Sequence, residues 1–203
     1  MRFENPFRPG IVAAIALFLG YAAPLAAQEA PAPGAAVTQT QPAPDSRDAE
    51  ALLEQLAQAD PAEAKRIDRQ LQALWRQSGS PAMDLLFKRG REALEAGDTA
   101  AAIEHLTALT DHAPGFAEGW LARASAYFQA ELHGPALADL ERALALNPMN
   151  YNAIFGLGSI LETFGAEKLA HDAYMRVRAI HPHHEDAGKA LERLGPRVGS
   201  QTL

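Results

Sequence analysis

A chain of 203 residues has room for one domain with an arm, and 48% hydrophobic residues against 7% aromatics leave alanine to fill the difference. Alanine favours helix over strand, so the balance points to close-packed helices. A formal net charge of −7 argues against a nucleic-acid or anionic-lipid surface as main partner, since either needs a basic face. The absence of cysteine excludes disulfides, thiolate catalysis, cysteine-type zinc sites and a lipobox.

Residues 1–27 read as a secretory signal: Arg2 and Arg8 at the start, an uncharged apolar run from Ile11 to Ala23, then Pro24-Leu25-Ala26-Ala27. Cleavage is expected after Ala27, with Ala26 as the alternative, because Leu25 is a less ideal −3 residue than alanine. The competing reading is an uncleaved anchor, since Ile11 to Ala27 is 17 uncharged residues, at the short edge of a spanning helix. Removal of the segment takes two of 18 basic and one of 25 acidic residues, leaving a net charge of −8. Export implies a periplasmic location, with contact to a membrane only if the segment stays attached. Residues 28–46 follow as a Pro/Ala-rich tether. With no periodic apolar face they cannot bury enough surface to offset their ordering entropy, and Pro31, Pro33, Pro42 and Pro44 keep the segment extended.

Residues 47–82 carry two helical patterns, Arg47–Ala59 and Pro61–Gln77, the second opening at Asp60-Pro61 with Ile67, Leu71, Leu74 and Trp75 on one face. Beyond them a 34-residue period sets in, marked by Pro114, Pro148 and Pro182. It divides the chain without gaps into 83–116, 117–150 and 151–184. Position 4 is large and apolar (Leu86, Trp120, Ile154), position 8 is tiny (Gly90, Ala124, Gly158), and position 20 is alanine (Ala102, Ala136, Ala170). Position 24 is Leu106, Leu140 and Tyr174. Each block therefore reads as two antiparallel helices whose backbones approach at the small residues, with large residues filling the space beside them. Proline at position 32 stops the second helix, and Gly97 and Gly165 at position 15 suit a turn with positive φ. Three positions depart from the pattern: Ala93 stands at position 11 where a large residue is expected, Glu131 replaces that glycine, and position 7 carries Arg89 and Arg123.

At these residues the chain resembles the tetratricopeptide repeat family, in register three times over 83–184. The resemblance implies an all-α fold, a right-handed α-solenoid of three 34-residue helix hairpins. Residues 47–82 cannot be a further repeat, because the register puts Asp68 at position 20 and Gln72 at position 24. They are expected to form an N-terminal helical hairpin capping the stack, as 185–195 forms a C-terminal capping helix ending at Gly195-Pro196, with 196–203 a flexible tail. The resemblance further implies a concave groove lined by the first helix of each block. Its candidate residues are Phe87, Arg91 and Leu94, then Leu121, Ser125 and Phe128, then Phe155, Ser159 and Glu162. Each aromatic has a second reading as core. The groove lacks the lysine and asparagine set with which chaperone-type members hold a C-terminal carboxylate. A hydrophobic protein or peptide segment is thus the expected partner, held at roughly micromolar strength, about 8 kcal/mol.

Chemistry is not expected. The chain holds no G-x-S-x-G, H-E-x-x-H or G-x-x-x-x-G-K. No cofactor, nucleic acid or small-molecule substrate is implied. His181-Pro182-His183-His184 reads as a solvent-exposed loop between helices; a zinc or nickel site that also draws on His171 is the sharper alternative. The function read from sequence is a non-catalytic interaction module or scaffold in the cell envelope, or else a structural subunit of a larger envelope assembly.

Overall fold

The computed structural model describes residues 46–200, so the expected signal segment and nearly all of the expected tether lie outside the described residues. Among the described residues there are nine helices and no strand: α1 (Ser46–Gln58), α2 (Pro61–Trp75), α3 (Pro81–Glu95), α4 (Thr99–His112), α5 (Ala117–Gln129), α6 (His133–Leu146), α7 (Tyr151–Thr163), α8 (Glu167–Ile180) and α9 (Glu185–Ser200). None is long and apolar enough to cross a membrane. Helices α3/α4, α5/α6 and α7/α8 are the three antiparallel pairs, and each second helix packs on the first helix of the next pair, ending with α8 on α9. The helical repeat read from the period is the fold.

Local chemistry sets the boundaries. Asp60 caps α2, its side chain accepting from the backbone N–H of Ala62 and Glu63. Asp98 caps α4 through Ala101, and Asn150 caps α7 through Asn152 and Ala153. Gly97 and Gly165 turn the chain at φ 77° and 73°, and Glu131 adopts the same left-handed conformation at φ 61°. A side chain with a β-carbon costs about 1 kcal/mol there. Glu131→Gly should therefore raise the unfolding free energy by about that amount in urea titrations.

The small residues pack as their spacing demands, against position 24 of the same pair. A β-carbon on Gly90 would stand 2.5 Å from Leu106, and one on Gly158 would stand 2.6 Å from the Tyr174 ring. Of the two arginines at position 7, Arg123 is paired. Arg123 forms a bidentate ion pair with Asp139, at 2.7 and 2.8 Å, and donates to Thr110. Its guanidinium also lies over the Trp120 ring, 4.8 Å from the centroid. The two side chains are 12% and 6% exposed. A second, unanticipated repeat feature lies at position 26: Arg142 and Arg176 each donate to the carbonyl of the proline that closes the preceding repeat, Pro114 and Pro148.

Two expectations are corrected. The hairpin α1–α2 does not cap the first repeat. Its buried residues Leu56, Ile67, Leu71 and Trp75 join the core of α7, α8 and α9, whereas α3 and α4 share a separate core with α5. The hairpin lies along the row of turns that carries Pro114, Pro148 and Pro182. Trp75 packs on Tyr151 at 5.3 Å between ring centroids, Lys65 pairs with Glu185, and the His183 ring meets the Ala59 carbonyl oxygen. The reason is the polar pair noted in the sequence. Asp68 accepts from the Tyr151 hydroxyl and from Gln72, which suits a polar seam and not a repeat interface. Burial and the adjacent Asp68 carboxylate push the Tyr151 hydroxyl pKa well up, so it stays a donor. The second correction is α9, which runs through Pro196 to Ser200 where a flexible tail was expected. Arg197 reaches Glu167 at 3.2 Å and ties the last turn to α8.

The histidine loop is not solvent-exposed as a unit. His181 is 7% exposed, edge-on to Tyr151 at 5.3 Å, and its Nδ1 meets no partner among the described residues. His184 stacks on Phe155, and its Nδ1 accepts from the Ala187 N–H. Among the described residues no three His, Cys, Asp or Glu side chains stand where they could hold a metal ion. Burial, with His184 and Arg178 nearby and Asp68 opposing, holds the His181 imidazole below its ordinary 6.5. A depressed imidazole supports the fold while neutral. Stability is thus full above pH 6.5 and falls as pH drops through the lower folded value. His181→Phe should shrink this acid-side loss in unfolding measurements between pH 7 and 5; His184, depressed by burial in the same way, keeps the remainder.

Candidate peptide-binding groove

The nine sequence-predicted residues sit on α3, α5 and α7, the first helices of the three pairs, and the structure sorts them unevenly. In the first pair the apolar members turn inward. Phe87 is 6% exposed and packs edge-on against Phe116 at 5.4 Å, and Leu94 covers the same core. Arg91 lies over the Phe87 ring and pairs with Glu95. Phe87 is thus core and cannot floor a groove, because its ring is sealed beneath Phe116 in the cluster of α3, α4 and α5.

The second pair is more open. Leu121 is half-buried against the α5–α6–α7 core, while Ser125 is exposed with its hydroxyl donating to the Leu121 carbonyl. Phe128 is 37% exposed and faces His133, whose ring in turn meets Phe164.

In the third pair the structure gathers Phe155, Ser159 and Glu162 in one open cleft of about 460 Å³, together with Tyr174 and with Asp186, Lys189 and Arg193 of α9. Phe155 is half-buried between Tyr174 and His184. Glu162 is held by Arg193 through three contacts of 2.8 to 3.1 Å and accepts from the Tyr174 hydroxyl. Burial and the Glu162 carboxylate raise the Tyr174 pKa, so that hydroxyl is a donor across the whole physiological range. Lys189 and Arg193 were missed by sequence reasoning, which took α9 for a cap alone. Counting the register one block further would have found them, since they fall on positions 5 and 9, the same positions as Phe155 and Ser159.

The arrangement is a shallow face with apolar rings flanked by ion pairs. It supplies shape, hydrophobic contact and charge, and it holds no nucleophile with an adjacent base.

Known proteins place this architecture. No protein-family profile matches the chain. A TPR repeat-containing protein of Rhizobium etli is 28% identical over 144 residues, spanning 70% of this chain and 71% of the relative. The first TPR of Spaghetti (RPAP3), solved bound to the HSP90 peptide SRMEEVD, superposes with a TM-score of 0.55 at 25% identity, covering 58% of this chain and 93% of that one. The chain has the tetratricopeptide repeat fold. A crystal structure of MamA superposes over 70% of this chain and 86% of its own, with a TM-score of 0.55 at 24% identity. TPR domains of this kind mediate interaction with proteins and peptides.

Proposed function

We propose that this TPR chain is a non-catalytic interaction module of the cell envelope that takes a hydrophobic segment of another protein along α5, α7 and α9. The observation that carries the reading is the cleft in which Phe155, Ser159 and Glu162 meet Lys189 and Arg193. Leu121 and Phe128 continue it as apolar contacts on the neighbouring helix. A peptide ligand on a similar fold, SRMEEVD on the first TPR of Spaghetti, supports the segment-binding mode. The chemistry here differs from an acidic tail: Arg193 is committed to Glu162, and the floor is aromatic. The envelope location rests on the signal pattern of residues 1–27, and the absence of catalytic signatures supports the non-enzymatic reading.

The test is in-cell crosslinking from position 128, followed by identification of the captured protein. Phe128→Ala should weaken capture roughly tenfold, the loss of one exposed aromatic anchor. Helicity by circular dichroism should stay unchanged, because the ring is already 37% exposed. Loss of helicity instead would assign Phe128 to the core and overturn the groove.

A second reading, a permanently docked structural subunit, draws on the exposed apolar residues at the turns beyond Phe128. Leu132, Phe164 and Leu169 are 46%, 61% and 58% exposed around those turns. Concentration-dependent self-association in sedimentation equilibrium, abolished by Phe164→Ser, would favour it.

A further inference from the structure

Between the α1–α2 hairpin and the turns that precede α5 and α7 lies a cavity of about 350 Å³, separate from the groove. Its walls are apolar, with Leu53, Trp75, Phe116, Leu146 and Met149 contributing, and its buried acid is Glu118. Glu118 is only 9% exposed. One carboxylate oxygen takes a 2.6 Å hydrogen bond from the Asn150 side chain. Asn150 is fully buried, and its own oxygen accepts from the α7 N-terminus, which fixes the amide with its nitrogen on that one Glu118 oxygen. Among the described residues no donor meets the second Glu118 oxygen, and no cation forms an ion pair with it. Arg76 and Arg91 act on it only through space, being bonded to Gln72 and Glu95.

The second Glu118 oxygen, free of protein donors and beside an apolar cavity, is an acceptor open to a cation that enters there. We propose that this cavity binds a primary ammonium group on a short apolar stem, the head seated on the unbonded oxygen of Glu118 and the stem against Trp75 and Phe116. The space suits a chain of four to six carbons, being roughly ten times the volume of a water molecule. The negative net charge of the chain raises the local concentration of such cations. Burial raises the Glu118 carboxyl above its ordinary value, and a bound ammonium reverses that, so binding strengthens as pH rises. The same chemistry belongs to a lysine side chain of a partner protein and to a free alkylamine.

The experiment titrates the full chain with n-hexylammonium chloride, 1-hexanol and Nα-acetyl-lysine methylamide, read by calorimetry and by the Trp75 indole resonance. Hexylammonium should bind at least tenfold more tightly than hexanol, and Glu118→Gln, which keeps an acceptor for Asn150, should erase the difference. Ala49→Trp, which fills the cavity from its rim without touching the carboxylate, should abolish both. Preference for the lysine derivative identifies a protein side chain as the source, and preference for hexylammonium a free amine. Equal binding of ammonium and alcohol, no binding of hexylammonium at millimolar concentration, or undiminished binding by the glutamine variant overturns the proposal. If Glu118→Gln does not fold, the comparison of the two probes on the natural chain and the Ala49→Trp result decide.

Discussion

Asp139→Ala should lower the unfolding free energy by about 3–5 kcal/mol, the largest single-site loss expected outside the aromatic core. The Arg123 guanidinium is enclosed by Trp120, Tyr127 and the Thr110 hydroxyl, and Asp139 supplies both of its carboxylate contacts. Removing the acid strands a charge that is 12% exposed. The Asp139 hydrogen bonds push the arginine still further above its high ordinary pKa, so it cannot escape by losing its proton. The double variant Arg123→Leu with Asp139→Leu should recover most of the loss, since apolar groups can replace a buried pair at little net cost. Urea titrations of the three variants check this; an additive double variant would show that the two residues do not act as a pair.

Gly158→Ala is expected to cost about 1–3 kcal/mol, the penalty for overpacking a filled core. The new methyl group would fall 2.6 Å from the Tyr174 ring. That ring cannot swing aside, because it is 1% exposed, packs on Phe155 and donates to Glu162. Combining Gly158→Ala with Tyr174→Leu should restore part of the loss, as position 24 is leucine in the other two repeats. The same chemical denaturation assay reads both. Gly97→Ala makes a useful contrast. Nothing lies within 4 Å of its β-position, so its cost comes from the positive φ alone.

The repeat was legible in sequence because its determinants are short-range and periodic. Gly90, Ala124 and Gly158 recur opposite Leu106, Leu140 and Tyr174, and prolines mark the turns, so one alignment of the chain against itself exposes them. The hairpin was half legible. Asp60-Pro61 and the Ile67–Leu71–Trp75 stripe announce α2, and Asp68 with Gln72 say that it is no repeat. Where it docks depends on Tyr151 and His183, which lie 83 and 124 residues from their partners Asp68 and Ala59, and no spacing rule reaches that far. The groove was legible by position but not by depth. Phe87, Leu121 and Phe155 share position 5, yet the first is sealed beneath Phe116 while the third borders an open cleft. The Arg123–Asp139 pair recurs in no other block, so periodicity hid it.

The lengthwise hairpin changes how this molecule acquires its structure. In an ordinary stack of repeats every interaction is between neighbours, so formation can begin anywhere and spread, and the ends loosen first. Here residues 56–75 close on residues 151–194 across the two intervening helix pairs α3/α4 and α5/α6, a closure that carries a large entropic toll before any contact rewards it. The helix pairs should therefore assemble quickly and the loop should shut last. Once shut, it makes the third pair and α9 lose their structure together with the hairpin, leaving α3 and α4, which take no part in that closure, as the segment whose amides exchange earliest with solvent.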